Sequence, residues 1–213
     1  MRNLFCCVSA LFFMVLQSAF SQELDSAKNP GKGRLMVEPS VELMYRDFGK
    51  DSFLGDVYQS GLGYHLRMNV RVGGYPGIGL YTITQGASVV ENTFLGGFFE
   101  DARFKESGVF IYHTFHLHRR FMVSPELGFG LFRVIHGESP SRFILNYDRF
   151  FGGLGLAYVL VKDKYGVYDV SLTLRGVHGG LNGREIVINQ SDRSYVRRST
   201  DLQGSLGIQI SFH

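Results

Sequence analysis

Histidine is the residue type in this sequence whose spacing most suggests catalysis or metal binding. His113, His116 and His118 fall in one short segment, and an alternating strand would place His116 and His118 on its inner face and His113 on its outer face. An imidazole can act as a general base beside a serine and a carboxylate, or as a metal ligand. No serine and carboxylate accompany His113 on its predicted face, so we attribute its position to a local register shift or bulge.

A glycine-rich fragment, Gly152-Gly153-Leu154-Gly155, has the composition of a phosphate-binding loop. Such a loop requires a strand that leads into a helix, and no helical period follows this fragment. Small side chains that line a narrow interior are the better interpretation. The sequence therefore predicts no catalytic residue, no metal site and no cofactor.

The N-terminal segment has the features of a secretory signal peptide. Arg2 is positively charged, residues 4–16 are apolar, and Ala19 and Ser21 are small residues at positions −3 and −1 of a cleavage site. An uncleaved anchor is the alternative, but the apolar run is shorter than the roughly 20 residues of a membrane-spanning helix. Because Cys6 and Cys7 lie in this segment, the mature chain would have no disulfide and no thiolate metal site.

The composition of the rest restricts the possible partners and locations. Cleavage would remove one of the 22 basic residues and none of the 19 acidic ones, and this near-balance of charge argues against a nucleic-acid partner. No segment after residue 21 has the length and apolar character of a transmembrane helix. A membrane location would therefore require strands, because only helices and closed barrels satisfy backbone hydrogen bonds in lipid.

Alternating apolar and polar residues predict eight β-strands. In the second, apolar side chains occupy every other position from Leu62 to Val72, which is a strand period and not a helical one. The predicted strands cover residues 35–46, 62–72, 78–89, 109–118, 121–134, 151–161, 168–175 and 202–212. The third of these alternates least regularly.

The connections between the strands alternate between short and long. Short turns at 73–77, 119–120 and 162–166 separate long polar loops at 47–61, 92–107, 136–149 and 180–199. Long loops at one end, with both termini at the other, are typical of outer-membrane barrels. The predicted fold class is all-β: an eight-stranded antiparallel up-and-down transmembrane β-barrel at residues 34–213, after a signal peptide at 1–21 and a periplasmic tether at 22–33.

The polar face distinguishes a transmembrane barrel from a soluble lipocalin-like barrel, which would show the same alternation. Its small residues, among them Gly128, Gly130, Gly153, Gly155 and Gly207, would make an unusually bare solvent surface. They suit the narrow interior of eight strands, where side chains share little space. We therefore expect the apolar face to contact lipid.

Charged side chains on the polar face are predicted to form a network that plugs the lumen. Buried charges require partners, and Glu42 and Arg67 on neighbouring strands are expected to pair. The predicted network consists of Glu38, Glu42, His65, Arg67, Arg71, Glu126 and Arg175. An open ion pathway is the alternative, although eight strands normally leave no continuous channel.

The chain from Arg34 to His213 resembles the small eight-stranded outer-membrane proteins of the OmpA and OmpX barrel type, in the form common among Bacteroidetes. Its last strand is similar to the C-terminal signal that the barrel-assembly machinery reads, although His213 follows the aromatic residue on which the family usually ends. The residues of this signal are Leu206, Ile208, Ile210 and Phe212. The resemblance implies the outer membrane of a Gram-negative bacterium, contact with its lipid and lipopolysaccharide, and transient contact with the assembly machinery.

Some barrels of this type modify lipid A with a serine, a histidine and an acidic residue. His178 lacks the His-x-Ser pattern of such deacylases, because Gly180 stands at the serine position. We therefore expect a non-enzymatic, monomeric barrel that acts as a structural or surface-interaction platform through its four long loops. A small pore for ions or solutes is the first alternative, and a lipid A-modifying enzyme is the second.

Arginines of the last long loop are the candidates for contact with an extracellular ligand or with lipopolysaccharide. Arg193, Arg197 and Arg198 could each form bidentate hydrogen bonds with a phosphate group. A solvated loop face is the alternative interpretation. The sequence of a recognition loop does not by itself identify what the loop binds, so no loop ligand is predicted.

Overall fold

The computed structural model of the protein describes residues 33–50, 52–91, 99–117, 120–137, 143–184 and 193–213. The predicted signal peptide and nearly all of the predicted tether lie outside these residues, so both stay predictions. The described strands are β1 (Leu35–Phe48), β2 (Tyr58–Val72), β3 (Gly77–Val89), β4 (Asp101–Tyr112), β5 (Phe115–His116), β6 (Phe121–His136), β7 (Phe143–Lys162), β8 (Tyr168–Gly183) and β9 (Arg198–Phe212). Two short helices, α1 (Phe53–Val57) and α2 (Arg193–Arg197), precede β2 and β9.

The strands form one antiparallel sheet that closes on itself. β1 pairs with β9, and β4 pairs with β6. The two-residue β5 continues β4 along β6 without a change of register, because Tyr112 lies opposite Glu126 and Phe115 lies opposite Val123. The predicted closed barrel of eight antiparallel strands is therefore confirmed. None of the described helices has the length and apolar character needed to cross a membrane.

The wall of the barrel is apolar on its outside along most of its height. On β1, the outward Val41 is 58% exposed, whereas its neighbour Glu42 is 1% exposed. An apolar surface of this extent is stable only where lipid or another apolar surface covers it. The barrel is thus of the transmembrane type, and the soluble alternative, in which the apolar face would point inward, is wrong.

Several strands extend further toward the loops than the sequence analysis predicted. β4 begins at Asp101 and not at residue 109, and β7 begins at Phe143 and not at residue 151. Above the lipid-facing belt the alternation inverts, so that Phe104 is buried inside β4 while Lys105 is exposed outside. A pattern of apolar-out and polar-in residues therefore misses these strand ends. The predicted loops at 92–107 and 136–149 are correspondingly shorter, and those at 47–61 and 180–199 include α1, α2 and the ends of β2, β8 and β9.

The inverted segments enclose a hydrophobic core at the loop end of the barrel. Phe104, Phe132 and Val134 are fully buried there, together with Leu54 of α1 and Val196 of α2. Burial of a large apolar side chain stabilises the fold by about 1.5–3 kcal/mol. We refer to this cluster as the loop-end core.

Polar contacts hold the two helices to each other and to the wall. Ser52 caps α1, because its hydroxyl accepts a hydrogen bond from the Gly55 backbone N–H at 3.3 Å. The same hydroxyl lies 2.9 Å from the Ser199 hydroxyl on β9. Tyr195 of α2 donates to Asp56 of α1 over 2.8 Å. The helices are therefore part of the packed end of the barrel.

Candidate functional site: the charged interior

The charged residues inside the barrel form three groups along its length, beginning near the end with the short turns. In this turn-end group, Arg71 donates from Nε and Nη2 to Glu38, each over 3.3 Å. The Tyr112 hydroxyl donates to the other oxygen of Glu38 over 3.0 Å. Glu38 and Arg71 are both buried, and their charges compensate each other.

The middle group is organised around Arg175, which bridges two carboxylates. Its Nε donates to Glu42 over 2.7 Å, and its Nη1 reaches Glu126 at 3.4 Å. Arg67 donates to the same Glu126 from both Nη atoms, over 3.1 and 2.6 Å. His65 Nδ1 lies 3.3 Å from Glu42. Bidentate arginine–carboxylate contacts of this kind are the stronger form of ion pair.

The expected pair between Glu42 and Arg67 does not form. Their strands are neighbours, yet Arg67 on β2 reaches across the interior to Glu126 on β6, and Glu42 pairs with Arg175 on β8. The interior is narrow enough for an arginine to span it, so cross-strand adjacency does not determine the partner. All seven residues of the predicted network lie inside the barrel and are buried.

The loop-side group contains four charged residues that the predicted network did not include. Arg149 donates from Nη1 to Glu106 over 2.9 Å and from Nε to Asp201 over 3.1 Å. Arg46 contacts the same two carboxylates, Glu106 and, over 3.1 Å, Asp201. Tyr81 adds a hydrogen bond to Glu106. The four charged side chains are 0–1% exposed, and they balance in sign.

The sequence pattern did not identify these four charged residues as interior, for a specific reason. Glu106 and Arg149 lie in segments that were predicted as loops, and Asp201 precedes the predicted start of the last strand. Arg46 is the last residue of the first predicted strand and is not a member of the predicted network. The parity of Glu106 with Gly108 and Phe110 on β4 is the signal that could have identified it.

Aromatic side chains separate the charged groups, so the interior is less polar than predicted. The guanidinium of Arg67 lies 4.1 Å from the ring centre of Phe110, and that of Arg149 lies 4.9 Å from the ring centre of Phe151. Arginine favours this stacking on an aromatic face. A Cβ atom on Gly79 would lie 2.0 Å from the Phe110 ring, which shows that glycine here makes room for an inward aromatic ring.

In the described part of the interior, two small cavities border the charged groups. One, of about 10 Å³, is bordered by His65, Arg67 and Tyr81. The other, also of about 10 Å³, is bordered by Glu38 and Asn69. Each has room for about one water molecule. Solvent can therefore occupy single positions beside the charged groups.

One polar pair lies within the loop-end core. The Tyr58 hydroxyl is 2.7 Å from His136 Nε2, and both side chains are buried. Burial raises the pKa of the Tyr58 hydroxyl and lowers the pKa of the His136 imidazole. Both groups are thus neutral at neutral pH, and the contact is a hydrogen bond between uncharged partners.

Two of the arginines proposed as loop contacts, Arg197 and Arg198, have described side chains, and these differ in their surroundings. Arg197 Nε donates to the Gly183 backbone carbonyl over 3.2 Å. Arg198 is exposed on the outer wall, opposite Asn182. The side chain of Arg193 lies outside the described part of the structure. The residues of the predicted assembly signal, Leu206, Ile208, Ile210 and Phe212, are all exposed on the outer face of β9.

Two of the three histidines of the fourth predicted strand, His113 and His116, lie in the described part of the structure. His113 lies on the outer face, and the expected bulge is wrong, because the register between β4 and β6 is continuous and the His113 N–H donates to the Pro125 carbonyl over 3.2 Å. Its ring packs edge-on against Phe115 at 4.5 Å. His116 is exposed at the end of the strand, and His118 lies outside the described residues. Within the described ranges, no three His, Cys, Asp or Glu residues converge as metal ligands.

Solved structures with a similar fold are small outer-membrane barrels. Neisserial surface protein A shares 10% sequence identity and a TM-score of 0.51, over 84% of this chain and 96% of that chain. The N-terminal β-barrel domain of OprF from Pseudomonas aeruginosa shares 12% identity and a TM-score of 0.48, over 83% and 97%. Ail, the attachment invasion locus protein of Yersinia pestis, shares 10% identity and a TM-score of 0.46, over 84% and 97%.

Comparison by sequence adds no relative. No protein-family model matches the chain, and no curated protein matches it. At 10% identity, the likeness to Neisserial surface protein A shows the fold alone. The chain is a small eight-stranded β-barrel of the outer-membrane type.

Proposed function

We propose that this protein is an integral outer-membrane barrel with a closed lumen, which acts as a structural or surface-interaction platform. The observation that carries the proposal is the loop-side group, whose two arginines and two carboxylates pair across the interior with almost no exposed surface. The loop-end core lies above this group and is fully buried. An ion could pass only if both layers opened.

The closed lumen distinguishes the platform from a pore. Continuous water is the usual path for an ion, and in the described part of the lumen two cavities that border the charged groups each have room for about one water. Breaking a buried ion pair leaves an uncompensated charge, which is costly. Spontaneous opening of the loop-side group is therefore expected to be rare.

The proposal includes the absence of enzymatic activity. His113 packs against Phe115 on the outer wall, and the outward neighbours of His178 across the sheet are Gly152 and Leu202. A hydrolase would need a nucleophile and an acidic partner within hydrogen-bonding distance of the imidazole. Neither histidine has both among the described residues.

The partners are proposed from the surfaces of the barrel. Lipid and lipopolysaccharide would surround the apolar wall, the assembly machinery would recognise β9, and an extracellular ligand would meet the loops. We expect the barrel to work as a monomer, because the closed sheet offers no free edge for pairing with a second copy.

Planar-bilayer recordings test the closed lumen. We expect no unitary conductance from the purified barrel at neutral pH. A matched variant, Glu106→Ala with Arg149→Ala, keeps the charge balance and widens the loop-side group. If the wild type forms channels and their unit conductance changes in this variant, the ions pass through the lumen and the proposal is overturned. If both proteins give identical conductance events, the events come from a contaminant.

A further inference from the structure

Three basic side chains form a patch on the outer wall, on strands β4 and β6. Arg103 and Lys105 on β4 and Arg133 on β6 are all exposed and point away from the interior. Lys105 and Arg133 are direct cross-strand partners, which places their Cβ atoms about 4.5–5.5 Å apart. We call these three residues the β4–β6 basic patch.

The described residues give this patch no compensating carboxylate. None of the three has an ion pair among the described residues, and the other cross-strand neighbours of Lys105 and Arg133 are the neutral Thr84 and Asn146. Like charges directly opposite each other destabilise a sheet. An anion between them would turn this repulsion into attraction.

Neighbouring acidic residues leave the patch positive. Asp101 lies two residues beyond Arg103 on β4, on the side away from Lys105. Asp148 on β7 pairs with Arg184, its Oδ2 accepting from Nε over 2.8 Å, and so does not compensate Arg133. The net charge of the outer wall at Lys105 and Arg133 is therefore positive.

The height of the patch identifies the anion. Moving from Lys105 and Arg133 toward the turn end of the barrel, the next outward cross-strand pair is Ser107 and Leu131, and the pair after it, Val109 and Phe129, is entirely apolar. These two steps of two residues span about 13 Å along the strands, so the patch lies above the lipid-facing belt. Phosphate groups of the outer leaflet lie at this level, where the loops emerge.

We infer that the β4–β6 basic patch binds the phosphate groups of lipid A in lipopolysaccharide. The inference rests on the outer-membrane location in the proposed function, and it is independent of any ligand of the loops. Two arginines and a lysine can share one or two phosphates through charge-assisted hydrogen bonds. The shared chemistry is a phosphate ester beside an apolar surface, which lipid A supplies and free phosphate does not.

The test compares lipid retained by purified barrels in nanodiscs. The variant is Arg103→Gln with Lys105→Gln and Arg133→Gln. The control is Lys164→Gln, an exposed lysine in the short turn between β7 and β8, at the opposite end of the barrel. Discs of phosphatidylcholine contain either lipid A with its phosphates or dephosphorylated lipid A, and native mass spectrometry counts the bound lipid.

We expect wild type and the Lys164→Gln control to retain phosphorylated lipid A, and the triple variant to retain about tenfold less, as for the loss of charge-assisted hydrogen bonds. Equal retention by wild type and triple variant would overturn the inference, as would equal retention of dephosphorylated lipid A by the wild type. Inorganic phosphate is added in a third arm; if it displaces lipid A at low millimolar concentration, the patch is a site for free anions and the inference fails.

Folding is checked for every variant by the shift in electrophoretic mobility on heating. If the triple variant does not fold, Lys105→Gln alone is used, with the same expected direction. A barrel that folds but does not distinguish the two lipids contradicts this inference only. A barrel that conducts ions contradicts the proposed function and leaves the lipid result standing.

Discussion

Glu106 is a single buried carboxylate that joins side chains from three strands across the interior. It accepts hydrogen bonds from Arg46, Arg149 and Tyr81, which come from three different strands. Removing Glu106 would leave Arg46 and Arg149 with Asp201 as their shared carboxylate, so the group would keep one uncompensated buried positive charge. The energetic consequence therefore exceeds that of losing one ion pair.

We predict that Glu106→Gln lowers the free energy of unfolding by about 3–5 kcal/mol, the cost of stranding a buried charge. The matched control is Asp148→Asn, which breaks the exposed pair with Arg184 and should cost about 1 kcal/mol or less. Urea unfolding in lipid vesicles measures the loss of stability in both variants. It is followed by intrinsic tyrosine fluorescence, because the chain contains no tryptophan. Equal losses in the two variants would mean that the loop-side group is solvated.

The strands have two zones of opposite polarity. In the lipid-facing zone, apolar residues such as Leu156 point outward, while small residues such as Ala157 point inward. In the loop-end zone, Phe104 and Phe132 point inward, whereas Lys105 and Arg133, next to them in the sequence, point outward. The period of two is the same in both zones, but the medium outside changes from lipid to water, so the preferred face changes with it.

We predict that Leu156→Arg lowers stability by about 2–4 kcal/mol, the cost of an arginine at the lipid face near mid-membrane. Leu156 lies between Val123 and Leu174 on the adjacent strands, so it has no polar neighbour that could hold the charge. The adjacent Ala157→Ser, which faces inward, should fold like the wild type. Similar folding yields for the two variants in vesicles would contradict the assignment of the faces.

At the scale of the whole molecule, the structure separates the barrel from the segments that join its strands at the loop end. The continuous ladder from β1 to β9 closes without the connections at residues 92–98 and 185–192. The segments 100–107 and 180–183, which the sequence analysis assigned to loops, contribute to the wall and to the loop-end core. Trimming within the strands would therefore damage the fold.

We predict that replacing residues 92–98 and 185–192 with short glycine–serine turns leaves a folded, heat-modifiable barrel, because the strand pairing and the loop-end core stay intact. If the loops act as the platform, the trimmed protein should lose adhesion to cells or matrix while it keeps the lipid A binding of the wall. A trimmed barrel that retains the full adhesion phenotype would show that these loops do not carry the adhesion. Electrophoretic mobility and a cell-binding assay give the two measurements.

The sequence by itself determined the strand number, the alternation of short and long connections, and the lipid-facing side of the strands that alternate regularly. These features follow from a local period of two and from turn chemistry, and each can be read within about ten residues. The same local reading located Glu38, Glu42, His65 and Arg67 on the inner face.

Only the tertiary structure decided which charges pair and where the strands end. Arg67 meets Glu126 and Arg149 meets Asp201 because closure of the sheet brings opposite walls within the reach of one guanidinium. The loop-end core likewise depends on closure, since Phe104 and Phe132 are buried only when the wall encircles them and α1 and α2 cover them. A sequence pattern specifies the face of each residue, but partners across a closed barrel depend on its diameter and register, which are properties of the whole sheet.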